Sequence, residues 1–193
     1  SIQDVWIKHK SLNVANGAIC SSKLKRSVRE KWQKTNEYTH QVFGFEFDKK
    51  EFNRATSMAL NYPEAKPIFP LLMVGMDKLS CFAKFKEWGV EIPETYRLGW
   101  NNNNCFGTGC VQGGIGYWQK IKKDFPEKFE AMAAMEHKLT DMRGQPVTML
   151  KDQSNEAKKK AKLDKYAPLV FLKKHPNYPD HKTLDDWPEM ESE

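Results

Sequence analysis

The chain has 193 residues, 39% apolar, 12% aromatic and 29% charged, enough apolar material for one domain core of ordinary size. A mean hydropathy of -0.73, with no apolar run near the roughly 20 residues a spanning helix needs, excludes an integral helical membrane protein. Its 31 Lys and Arg against 25 Asp and Glu give a net charge of +6, which suits a phosphate-bearing partner as well as a plain solvated basic surface.

The N-terminus has no apolar signal-peptide core, so a reducing, cytoplasmic setting is expected, where four cysteines act as thiols or ligands rather than disulfides. In chain order, residues 2–10 read as a short amphipathic segment, and 13–18 as a loop with Asn16-Gly17 as its turn. Ser21 and Ser22 are expected to cap a helix with Leu24, Val28 and Trp32 on one face. Lys23 and Lys25, near that helix start, could reach an anion there.

The alternating aromatic and β-branched run Tyr38 to Phe47 predicts a strand, and Glu51 to Leu60 a helix ended by Asn61-Tyr62-Pro63. Ile68 to Val74, interrupted by Pro70, predicts an edge or irregular strand. Asp77 opens a helix through Trp88, closed by Gly89, with Cys81, Phe85 and Trp88 on one face. Tyr117 to Lys123 is helical, and Asp124 with Glu127 predicts a capping box for a long helix ending at Gly144. Its stripe Phe125, Phe129, Met132, Met135, Leu139 and Met142 reads as core. From Lys151 the composition shifts to a basic cluster (Lys158 to Lys160, Lys162) and an acidic end (Asp185 to Glu193). This predicts a domain over 1–150 and a C-terminal appendage over 151–193.

The most unusual stretch is Asn101 to Trp118, with four Asn, five Gly, and the thiols Cys105 and Cys110. Bounded by Trp100, Tyr117 and Trp118, it reads as a tightly folded loop serving as a metal site, a redox pair or a nucleotide-binding turn. Cys105 and Cys110 alone lack the usual spacing of a structural zinc site. The five histidines (His9, His40, His137, His175, His181) show no ligand spacing. A bound metal would therefore draw on Cys20 and Cys81 as well, an all-thiolate set suited to zinc or an iron–sulfur cluster. Gly107, Gly109, Gly113 and Gly114 fail the dinucleotide pattern. Glycines directly before a helix, here Gly113 and Gly114, still leave N–H groups for a phosphate or sulfate.

Three blocks together carry a family resemblance. They are Cys20-Ser21-Ser22-Lys23-Leu24-Lys25; Val42-Phe43-Gly44-Phe45 with Glu51 and Arg54; and Pro93, Tyr96 to Trp100, Asn103 to Cys105, Cys110 to Gly114, Gly116 to Trp118 and Asp124 to Pro126. Over roughly residues 13 to 143 the chain resembles the phosphoadenosine-phosphosulfate (PAPS) reductase-like branch of the adenine nucleotide alpha hydrolase (PP-loop) superfamily. The resemblance implies an α/β fold: a partial Rossmann-like sheet, flanking helices and a helical C-terminal part, with an adenine nucleotide at the strand ends. It also implies ATP or PAPS as the nucleotide, used for phosphosulfate reduction or for adenylation with sulfur transfer. A four-cysteine iron–sulfur cluster, or zinc, would be held by Cys20, Cys81, Cys105 and Cys110. Lys25, Arg54 and Arg97 become phosphate or sulfate contacts.

The family's Ser-Gly-Gly-x-Asp/Thr-Ser pyrophosphate loop is absent from these residues, and Gln112 stands where relatives often have Lys. The expectation is therefore the C-terminal portion of the family fold, catalytically incomplete without an upstream loop. The alternative is a degenerate, non-catalytic module binding nucleic acid or protein through the Lys158 to Lys162 cluster.

Overall fold

The structure, a computed structural model, describes residues 1–14 and 17–189. The chain divides into two compact units, Ser1–Val28 with Asn104–Glu193, and Arg29–Asn103. The architecture is α/β in the coarse sense. Helices predominate, and the strands described form three two-stranded sheets.

The first unit opens with helix α1 (Ile2–His9), closed at its start by a reciprocal Ser1–Asp4 capping box. Strands β1 (Asn13–Val14) and β2 (Gly17–Ala18) pair antiparallel; the expected turn residue Asn16 lies outside the described residues. Helix α2 (Ile19–Ser21) runs through a π-helical turn (Ser22–Arg26) into α3 (Ser27–Thr35). Ser21 and Ser22 thus lie inside the helical run instead of capping it, because the chain becomes helical directly after β2. The Leu24, Val28 and Trp32 stripe is roughly half exposed rather than core.

Helix α8 (Ile115–Asp124) packs on α9 (Pro126–Arg143), the longest element. Asp124 does not cap α9 as expected. It ends α8 and pairs with Lys120 one turn back at 2.6 Å, while Pro126, with its fixed φ and no N–H to satisfy, takes the first position of α9. Gly144 closes α9 in the left-handed region (φ +66°) as expected.

Trp6, Leu12, Trp118, Ile121, Phe129 and Leu139 are fully buried. Residues beyond 150 join the same core. Strands β5 (Leu150–Lys151) and β6 (Leu169–Val170) pair antiparallel, and Val170, Phe171, Leu172 and Leu184 are buried. Helix α10 (Asn155–Lys160) is capped by Ser154 and anchored by buried Ala157.

Among the polar groups buried in this core are Glu136 and His175. Glu136, fully buried on α9, accepts the Met149 and Leu172 backbone N–H groups, each at 2.7 Å. His175 is 1% exposed. Its Nδ1 accepts the Asn177 N–H at 3.1 Å, which places the imidazole proton on Nε2. Nε2 faces Asp141 at 3.4 Å without an aligned hydrogen bond, and the His137 ring stands 4.6 Å away.

Burial, then the neighbouring His137, holds the His175 pKa below its ordinary 6.5, with Asp141 opposing. The folded state therefore resists a proton that the unfolded chain accepts. The neutral ring's contribution is complete above pH 6.5 and is lost as pH falls through the depressed folded value. Urea midpoints measured down from pH 7.5 should fall below pH 6.5 in the wild type. The drop should be shallower in His175→Asn, whose amide oxygen accepts the same N–H without titrating. Parallel profiles for the two proteins would contradict the assignment.

The second unit contains one βαβ arrangement. Strand β3 (Gln41–Val42) pairs parallel with β4 (Pro67–Ile68), and helix α4 (Lys49–Asn61) lies between them in sequence. The strand expected over 38–47 is thus reduced to two residues, beyond which Phe43 and Phe45 pack on Phe69. The run expected as a strand from Ile68 is instead the end of β4 followed by helix α5 (Pro70–Met73), because Pro70 starts a helix at its first position.

Helix α6 (Lys78–Glu87) is capped by Asp77 at its start as expected. Trp88, expected on its apolar face, is 66% exposed. A short helix α7 (Glu94–Arg97) follows. Ala55, Ala65 and Trp100 are the buried apolar residues of this unit among those described, so two short strands do not close a core here.

Candidate functional site: the thiol loop

The loop of the first unit that joins residue 104 to α8 is shaped by glycines lying against aromatic rings. Gly109 sits at φ +77°, and a Cβ there would stand 2.5 Å from the buried Trp118 ring. A Cβ on Gly113 would stand 2.2 Å from the Tyr117 ring. Both close approaches need glycine, the first also for its left-handed backbone. The loop therefore lies flat on the first turn of α8, which supplies both rings.

Polar contacts then fix it. The Cys110 N–H donates to the Tyr117 hydroxyl at 3.0 Å. Burial pushes the Tyr117 phenol up to about 12, so it stays neutral at physiological pH. Asn13 on β1 donates from its side-chain amide to the Val111 carbonyl at 3.1 Å and accepts from the Gln112 amide. The Gly113 N–H closes a turn on the Cys110 carbonyl at 2.8 Å.

Within this frame Cys105 is exposed, Cys110 half-buried and Cys20 buried on α2. Burial pushes the Cys110 thiol up, helped by the nearby Cys105 and Cys20 thiols. Backbone N–H groups of Gln112 and Cys105 oppose part of that rise without reversing it. The structure thus gathers three of the four expected ligands in one unit. Cys81 belongs to the other unit, where burial raises its thiol pKa, followed by Glu46 and Asp77. Among the described residues no three Cys, His, Asp or Glu side chains converge tightly enough to hold a metal ion.

The expected anion contacts divide in the same way. Lys23 and Lys25 are exposed in the π-helical turn of the first unit, one turn past the true helix start. Gly114 precedes α8 without a side-chain cap, whereas the Gly113 N–H is already used in the loop. Arg54 and Arg97 lie in the second unit. Arg54 pairs with Glu51 and stacks 4.7 Å from the Phe45 ring. Arg97 pairs with Glu94 and, at 3.7 Å, with Glu91.

No protein-family profile, curated protein or solved structure matches the chain. The site therefore rests on its own chemistry.

That chemistry is a soft donor set with unequal access. An exposed thiol is the first to meet an oxidant, electrophile or soft metal, while burial keeps its neighbour Cys110 protonated. Sequence reasoning found these cysteines but not their supports. Asn13 lies 98 residues from its Val111 partner, and neither residue type nor spacing announces such a contact. Tyr117 was visible only as an aromatic flank, although a hydroxyl on the first turn of the helix after a thiol loop is a legible candidate for holding it.

Proposed function

We propose that this chain is a PAPS-reductase-like domain for adenine-nucleotide-dependent sulfur chemistry, either phosphosulfate reduction or adenylation with sulfur transfer. The observation that carries the reading is that Cys20, Cys105 and Cys110 share one unit, two of them on a glycine-shaped loop that leads straight into a helix. The βαβ connection from β3 to β4 supports it further, since parallel strands joined through a helix are the unit of Rossmann-like sheets. Val42 on that pair is 67% exposed, whereas strands of a parallel sheet are normally covered on both faces. The reading therefore assigns these two strands to a larger sheet.

In this account Cys20, Cys105 and Cys110 would hold an iron–sulfur cluster, or zinc; the expected fourth donor, Cys81, belongs to the other unit. The donor types suit such a group, being all thiol, while their present spacing is not that of a bound ion. When bound, a cluster supplies electron transfer or a soft anchor for sulfur. The chain's own residues do the rest. Tyr117 and Asn13 orient the loop, Lys23, Lys25 and the backbone at Gly114 offer positive potential to phosphate or sulfate in that unit, and Arg54 and Arg97 offer it in the other. The family's phosphate-cradling loop is not in this sequence, so turnover is assigned to a polypeptide that also carries it.

Calorimetric titration with ATP and with PAPS, alongside iron, sulfide and zinc analysis of anaerobically purified protein, tests the proposal. Metal bound through the thiols, with heat on adding a nucleotide, is the expected result. Metal-free protein silent to both nucleotides, yet binding tRNA or DNA in a salt-dependent way, would favour the non-catalytic alternative. That alternative draws on the exposed Lys158, Lys159 and Lys162 around α10.

A further inference from the structure

We infer that Lys128 is a positioning residue for the thiol loop, a clamp that reaches from α9 and sets which of its thiols is accessible. The inference rests on the reading above only in treating Cys105 and Cys110 as the chemically active groups.

The geometry is convergent. Lys128 Nζ donates to the Phe106 carbonyl at 2.9 Å and stands 3.7 Å from the Phe106 ring centroid. The Phe125 ring lies 5.0 Å from the same ammonium and meets Phe106 edge to face, with centroids 4.9 Å apart. One cation therefore holds both the backbone and the side chain of the residue that directly follows Cys105. The contact lies between the two thiols in sequence, opposite the point where Tyr117 and Asn13 hold Cys110 and Val111.

The two grips have separate consequences. Tyr117 and Asn13 anchor the C-terminal half of the loop, which α8 also supports. The half carrying Cys105 and Phe106 has no regular secondary structure. Without the Lys128 hydrogen bond and its ring contacts, the edge of Phe106 on Phe125 is what remains to hold this backbone, and the loop opens more readily. Its opening uncovers Cys110, which is half-buried four residues beyond Phe106 along the same loop. Lys128 thereby keeps Cys105 outside and Cys110 sheltered, which is the asymmetry that either ordered metal loading or stepwise thiol chemistry needs. Lysine is suited to this task because its compact ammonium can serve a carbonyl and a ring face at once.

The test is the rate of iodoacetamide alkylation, resolved residue by residue by tandem mass spectrometry, in the full chain kept reduced and in chelator. Lys128→Met should raise the Cys110 rate on the order of tenfold, as expected for losing one hydrogen bond and the cation–π contacts to Phe106 and Phe125, with Cys20 unchanged. Lys128→Arg should stay within about twofold of the wild type, since its guanidinium keeps both contacts. Lys128→Gln, which retains a donor but no charge, should fall between them.

Unchanged Cys110 reactivity in Lys128→Met would overturn the proposal. So would parallel rises at Cys20 and Cys110, because they report general loosening rather than a clamp. These outcomes separate from those of the family reading. A chain that binds neither metal nor nucleotide can still show the Lys128 effect, and a metal-binding chain can lack it.

Discussion

Glu136→Ala is expected to remove about 4 kcal/mol of stability, since each orphaned buried N–H costs about 1–3 kcal/mol and the lost side-chain volume adds a cavity. Both carboxylate oxygens are committed, one to the Met149 N–H and one to the Leu172 N–H. Those residues flank β5 and β6, so a single side chain on α9 fixes the pairing of two distant segments. Measured against a total stability of about 5–15 kcal/mol, the loss is large. Urea denaturation should show it as a lower midpoint, and a change under about 1 kcal/mol would mean that water or a neighbour takes over the N–H groups.

A pH signature accompanies it. Burial raises the Glu136 pKa from 4.5 to about 8, with the two N–H groups pulling the other way. The folded state therefore retains a proton that the unfolded chain has already released. The stabilising contribution is present below pH 4.5 and is lost as pH rises toward 8. The stability difference between wild type and the non-titrating Glu136→Gln should shrink across that interval.

Gly109→Ala should cost about 2–5 kcal/mol, combining a left-handed backbone penalty with overpacking against a buried ring. Gly109 lies at φ +77°, and its added methyl would stand 2.5 Å from the rigid, fully buried Trp118 indole. Trp118 cannot withdraw without opening the contact between α8 and α9. The strain falls on the residue directly before Cys110, so the variant should also expose that thiol to alkylation. Gly107→Ala is the control, because nothing lies within 4 Å of a Cβ there. Equal unfolding midpoints for the two variants would contradict the packing argument.

The helices were legible where local chemistry governs them. Asp77 and Gly144 act as the cap and stop their residue types suggest; of the stripe expected as core, Phe129, Met132 and Leu139 are buried, Phe125 and Met135 half-buried, and Met142, on the last turn, is 37% exposed. Proline was misread twice. Pro70 and Pro126 each start a helix where a broken strand and an Asp124 cap were expected, because a fixed φ suits the first helical position as well as it ends a strand.

Contacts of long sequence separation were not legible. Glu136 looks like any exposed helix glutamate until Leu172, 36 residues on, brings its N–H. Of the candidate site, the loop was legible in its glycines, two of which, Gly109 and Gly113, do lie against aromatic rings a Cβ would overlap. The division of Cys81 from Cys20, Cys105 and Cys110 between two units is set by tertiary packing, to which helical periodicity around Cys81 is blind.

The most direct test of the thiol centre is iron, acid-labile sulfide and zinc per chain in protein purified without oxygen, compared between wild type and Cys105→Ser, Cys110→Ser and Cys20→Ser. A cluster or zinc site held by these thiols predicts stoichiometric metal in the wild type and its loss in each variant. Wild-type protein without metal, or metal retained unchanged in all three variants, would contradict it.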